Sequence, residues 1–178
     1  MRLFGVKLAV MSPAMTDHDA SIRNLGNFIY RFQFIERQLD ELIIVVAHSD
    51  EEMIRILISE MDFAKKFKAL DVMFARFNDL HSGEDENKSN FHKLMNRVQK
   101  LAKRRNDLVH SHYWSYLNVE KRTGLLRKKS TLLSKTGQRE DREEELMPEN
   151  LDKDLRDINR LSQELEDFRL LSIGLLYP

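Results

Sequence analysis

Apolar side chains at Leu25, Phe28, Ile29, Phe32, Ile35, Leu39, Leu42, Ile43 and Val46 recur three and four positions apart. That spacing lines one face of a long amphipathic helix. Thr16, followed three positions later by Asp19, reads as a capping box at its start. Gly26 interrupts the helix at a cost of about 1 kcal/mol relative to alanine, which suggests close packing against a neighbouring helix. Ser49-Asp50-Glu51-Glu52 is a second capping box, and a short helix follows on Met53, Ile54, Leu57 and Ile58. The phase then shifts, and Asp62 caps a third helix that buries Phe63, Phe67, Leu70, Phe74 and Phe77. Residues 81–88 are polar, contain Gly83 and read as a loop. Ser89 or Asn90 caps a fourth helix, with Phe91, Leu94, Met95, Val98, Leu101, Ala102 and Leu108 on its inner face.

After His112 the pattern changes. Tyr113-Trp114-Ser115-Tyr116-Leu117-Asn118-Val119 is aromatic and β-branched, which favours a strand. Lys121-Arg122-Thr123-Gly124 reads as a turn and 125–133 as the returning strand, giving a hairpin over about 113–133. Residues 136–145 read as a charged loop. Pro148 suits a first helical turn, and Leu151, Leu155, Ile158, Leu161, Leu165, Phe168 and Leu171 define the last helix. The expected fold is mainly α: an antiparallel bundle of about five helices, with a small β-hairpin inserted before the last one. It forms a single domain over 16–178, preceded by a leader over 1–15. In that leader Lys7 interrupts the apolar run, which falls short of the roughly 7–15 residues of a signal peptide.

Composition narrows the function. Apolar residues make up 42% of the chain, enough for a packed core. The 29 basic and 29 acidic side chains cancel, so binding to nucleic acid through bulk charge is excluded and a local patch or a dimer groove is required. No cysteine is present, which excludes a disulfide scaffold and thiolate metal sites and fits a reducing, cytoplasmic setting. No apolar run approaches the roughly 18 residues that span a bilayer, so no membrane partner is expected.

The motifs of cofactor and metal chemistry are missing. There is no P-loop, GxGxxG, GxSxG or HExxH. His18, His48, His81 and His92 are scattered, and His110 and His112 alone make a poor zinc site. No cofactor and no metal are expected. What remains is Arg105-Asn106-Asp107-Leu108-Val109-His110 near the end of the fourth helix. Asn106 and His110, four apart, share a helix face. Arg105 and His110 are separated by roughly 140° around the axis, from about 3.6 residues per turn, and the long arginine can swing back. A cation, an amide and an imidazole thus gather at a helix end. Arg97, Lys100, Lys103, Arg104 and Arg105 concentrate positive charge on this helix, and Lys121, Arg122, Arg127, Lys128 and Lys129 add a cluster on the hairpin. Both clusters suit phosphate contacts; the alternative is a solvated face, with basic residues favoured near a helix C-terminus, and for the hairpin cluster the two readings are even.

The Arg-x4-His spacing, with a polar residue just after the arginine, resembles the Rx4-6H motif of HEPN domains. The resemblance covers residues 16 to 175. It includes the long first helix, two shorter ones, the motif near the end of the next, and a closing helix. Leu25-Gly26-Asn27-Phe28-Ile29-Tyr30-Arg31-Phe32 and the position of Trp114 resemble a bacterial group of these proteins. The resemblance implies a metal-independent endoribonuclease, a toxin or defence effector, acting as a homodimer, with an antitoxin protein as a further partner. Under it Arg105 stabilises the scissile phosphate, His110 moves protons and Asn106 orients backbone or substrate, while Lys103, Arg104, His112 and Tyr113 contact RNA. Some such toxins are modified on a tyrosine two residues after the motif histidine. Here that place is His112, and Tyr113 is one further on. The alternatives are a catalytically inactive HEPN bundle that binds proteins, and a nucleotide- or small-ligand-binding bundle.

Overall fold

The first three helices begin where a side chain accepts from a free N–H of the first turn. The structure, a computed structural model, describes residues 16–133 and 137–177; the expected leader lies outside them. Helix α1 (Asp17–Ala47) is capped by Thr16, whose Oγ1 accepts from the Asp19 backbone N–H and donates to the Asp19 carboxylate. Helix α2 (Glu51–Ser59) is capped by Asp50 and α3 (Phe63–Leu80) by Asp62. The hydrogen bond from Thr16 to Asp19, and the Lys65 N–H donated to Asp62, hold both carboxyls below the usual carboxylate range. Helix α4 (Asp85–Val109) starts earlier than expected. Its first turn is polar and carries no apolar signal. Its position is set by Asn78, buried at the end of α3, whose Nδ2 donates to the Glu84 carbonyl at 3.0 Å. Gly83 fits here because a Cβ would lie 2.1 Å from the Asn78 Oδ1.

The chain then forms β1 (His112–Leu117), β2 (Thr123–Leu133) and β3 (Gln138–Leu146), and ends in α5 (Pro148–Leu176) with Pro148 in its first turn. The strands make one antiparallel sheet in the order β1-β2-β3. The expected hairpin is therefore a three-strand meander, and the expected charged loop is its third strand. Arg127 faces Glu144, Lys128 faces Glu143 and Ser130 faces Asp141 in the β2–β3 register. Opposite charges directly across a ladder stabilise it, and here they replace the apolar alternation that marks an ordinary strand.

Chain direction alternates from helix to helix, so α3 and α4, and α4 and α5, run antiparallel, as expected of the bundle. The same alternation makes α1 and α5 parallel: Asn24 bonds Asp152, Arg31 bonds Asn159 and Gln38 bonds Ser162. Between the helices lies the core, which includes Phe28, Phe32, Ile35, Leu39, Phe74, Phe91 and Leu108. Phe74 stacks on Phe91 at 4.1 Å, and Phe168 meets both rings edge-on. Each fully buried side chain of this size contributes about 1.5–3 kcal/mol relative to exposure.

Gly26 is not a packing glycine. It is exposed, and a Cβ added there would have nothing within 4 Å. Gly26→Ala is expected to raise stability by about 1 kcal/mol, read as a shift in the urea midpoint at unchanged slope. A loss of stability would show that this face is occupied by something else.

Candidate functional site

The last turn of α4 is held by three bonds to its otherwise unpaired carbonyls. The His110 N–H donates to Asn106 O at 3.0 Å, the Ser111 hydroxyl donates to Asp107 O, and the Tyr113 hydroxyl donates to Leu108 O. A helix end satisfied in this way is a fixed platform. Leu108 anchors it in the core at 1% exposure. Lys129 of β2 pairs with Asp107 and ties the sheet to the same turn.

On this platform the structure places the three candidate catalytic residues together. Arg105 Nη1 donates to Asn106 Oδ1 at 3.2 Å. The Arg105 guanidinium carbon lies 5.6 Å from the centre of the Phe32 ring, over a residue of α1 that is itself buried. The cation therefore rests on the edge of the core, half-buried, with no ion-pair partner among the described residues. His110 is the C-cap of α4. Its imidazole is exposed and makes no hydrogen bond among the described residues. No direct bond joins Arg105 to His110 among the described residues. An arginine, an amide and an open imidazole thus share one helix end, where a phosphate could be clamped and a proton moved.

The four flanking residues divide. Lys103 and His112 are exposed. Arg104 points inward: its Nε donates to Asp154 at 2.8 Å and its Nη1 to Glu144 at 2.7 Å. Burial works against the Arg104 charge, yet the two carboxylates outweigh it and hold the guanidinium firmly protonated. Burial pushes the Asp154 carboxyl up, although Arg104 opposes the shift. Tyr113 also turns inward to Leu108, and burial pushes its phenol up. Both residues therefore have internal partners in place of the expected RNA contact. The hairpin cluster is largely neutralised as well. Arg122 pairs with Asp17 and Glu149, Arg127 with Glu144, Lys128 with Asp141 and Glu143, and Lys129 with Asp107. Lys100, Lys103 and Arg105 of α4 make no ion pair among the described residues.

One support of the site, and two features away from it, carry no sequence signal. Phe32 reads as core alone, yet it supports Arg105. His18, at the start of α1, is brought to β1, its Nε2 lying 3.1 Å from the Ser115 hydroxyl. An open groove of about 340 Å³ runs between α4 and α5, lined by Arg97, Lys100, Arg104, Asp154, Asp157 and Arg160 among others. Its cations are partly matched by its own carboxylates. Among the described residues no group of three or more histidine, aspartate or glutamate side chains is placed to hold a metal ion, and no helix is long and apolar enough to cross a membrane.

Compared with family models, curated proteins and solved structures, the chain shows no significant match.

Proposed function

We propose that the protein is a metal-independent endoribonuclease of the HEPN kind that works as a homodimer. The observation that carries this reading is the grouping of Arg105, Asn106 and His110 on one rigid, accessible helix end. RNA supplies its own nucleophile. One imidazole takes the proton from a 2′-hydroxyl as its oxygen attacks the adjacent phosphorus. The P–O5′ bond breaks, and the leaving oxygen takes a proton from a second acid. One His110 cannot fill both places at once, and the His110 of a second copy supplies the other. Arg105 neutralises the charge that develops on the phosphoryl oxygens, and Asn106 keeps the guanidinium aimed. The products are a 2′,3′-cyclic phosphate and a 5′-hydroxyl. The overall charge balance restricts RNA contact to the unpaired cations of α4 and to the paired copies of this site. In this reading the protein serves as a toxin or defence effector in the cytoplasm, controlled by an antitoxin protein.

The placement of Arg105 over Phe32 favours a second reading, in which the arginine is structural and the bundle is a silent interaction module. Incubation with RNA in excess EDTA separates the two. Cleavage to cyclic-phosphate ends is expected in EDTA, from a species of dimeric mass. Intact RNA, or a monomer at micromolar concentration, would count against the ribonuclease.

A further inference from the structure

The outer face of the sheet carries a file of rings that the proposed chemistry does not use. Side chains alternate along a strand, so His112, Trp114 and Tyr116 share one face of β1. The opposite face turns Tyr113 toward the bundle, where its cross-strand neighbour Arg127 and the nearby Leu125 and Leu146 are buried. Trp114 keeps 49% of its surface exposed. Its ring lies 6.2 Å from that of His112, tilted by 50°. The backbone beneath is fixed, since His112 pairs with Lys128, Trp114 with Leu126 and Tyr116 with Gly124. The file starts two residues after His110.

Charge on the sheet is distributed to one side. The carboxylates of this face belong to β3, at the far edge, with β2 between. Glu143 is paired with Lys128, and Glu145 accepts from the Tyr116 hydroxyl at 2.8 Å. At the near edge β1 leaves directly from α4, whose Lys103 and Arg105 have no ion-pair partner among the described residues. A polyanion that laid its bases on the rings is therefore repelled from β3 and drawn toward the end of α4. Unpaired bases offer a face to protein rings, whereas bases in an A-form duplex are stacked on each other and out of reach.

We infer that Trp114, with His112 beside it, is a base-stacking platform that holds single-stranded RNA against the Arg105–His110 site and so restricts the substrate to unpaired segments. The inference rests on the ribonuclease reading for the purpose of the platform, but it is tested by binding alone. Trp114 is the only tryptophan in the chain, so intrinsic fluorescence reports on it directly. The probe is a single-stranded 2′-O-methyl RNA oligonucleotide, which lacks the free 2′-hydroxyl and cannot be cleaved. Saturable quenching is expected with this probe and not with its duplex. Fluorescence anisotropy of a labelled probe is expected to show about tenfold weaker binding for Trp114→Ala, within the range for losing one stacked base. Trp114→Phe, which keeps a ring, retains most of the affinity and guards against a folding defect in the alanine variant. Binding without quenching, or equal affinity for Trp114→Ala and the wild type, would overturn the platform. So would a fluorescence change on raising the protein concentration without RNA, because a second copy would then cover the face. Failure of the platform leaves cleavage in EDTA intact. Failure of the nuclease reading leaves quenching intact and cleavage absent.

Discussion

His110→Ala is expected to lower RNA cleavage by about 10²–10⁴-fold, the usual cost of removing a general acid or base, with no loss of folding. The separation of the two effects comes from where the residue sits. Its imidazole is exposed and makes no hydrogen bond among the described residues, so its removal costs less than about 0.5 kcal/mol, as for other surface substitutions. Arg105→Ala is expected to lower cleavage by about 10²–10³-fold, as when one donor to a developing negative charge is lost. That variant also gives up its contact with the Phe32 ring, worth about 0.5–1 kcal/mol at a half-exposed site, so a small loss in melting temperature accompanies it. Arg105→Lys restores the charge without the planar fork and recovers only part of the rate. The double variant falls well short of the product of the single effects, because the two groups act on one transition state. Single-turnover cleavage in EDTA, beside a thermal melt of each variant, checks these outcomes. Undiminished cleavage in His110→Ala would remove this site from the chemistry and place the cleavage elsewhere, whereas the silent-module reading stands if the wild-type protein itself leaves the RNA intact.

The helices could be read from the sequence because their cause is local. Three-and-four spacing marks the buried face of α1, α3 and α5, and Thr16, Asp50, Asp62 and Pro148 mark the starts. The presence of Arg105, Asn106 and His110 at one helix end was legible for the same reason, since residues four and five apart on one helix share its last turns without help from the rest of the chain. What escaped depends on distant partners. Gln138–Leu146 has no apolar alternation, and its strand state comes from β2 charges across the ladder. The start of α4 depends on Asn78, a buried amide of the preceding helix. Arg104 stands between Lys103 and Arg105 in a basic run and looks like a third surface cation. Only the fold brings it to Glu144 and Asp154. The platform at Trp114 was half legible: the aromatic strand could be read, but which rings face outward follows from the sheet's register.

Glu144→Ala is expected to destabilise the protein by about 3 kcal/mol, the lower end of the range for breaking a buried ion pair from one side. Glu144 Oε2 lies 2.7 Å from Arg104 Nη1 and 2.8 Å from Arg127 Nη2. It therefore joins α4, β2 and β3, and Arg104 continues the chain of contacts to Asp154 of α5. The lower end applies because the Glu144 side chain is 31% exposed, and water can reach part of what it leaves behind. Arg127 bears the larger cost. Its side chain is only 8% exposed, and its Nε already lacks a partner among the described residues. Without Glu144 its remaining hydrogen bond to another side chain is a long one, 3.4 Å, to Ser111. For a chain of this length about 3 kcal/mol corresponds to roughly 6–12 °C in melting temperature. Glu144→Leu combined with Arg127→Met should recover much of the loss, because an apolar pair of similar volume removes the unpaired charge as well as the bond. The loss should also be uneven. Amide exchange is expected to speed up most in β1 and in the last turn of α4, where the sheet is fastened to the motif helix, while the α1–α5 contact stays protected. A uniform loss of protection would mean that Glu144 stabilises the whole bundle equally. A selective loss would make the Arg104–Glu144–Arg127 network the element that keeps the sheet registered against His110.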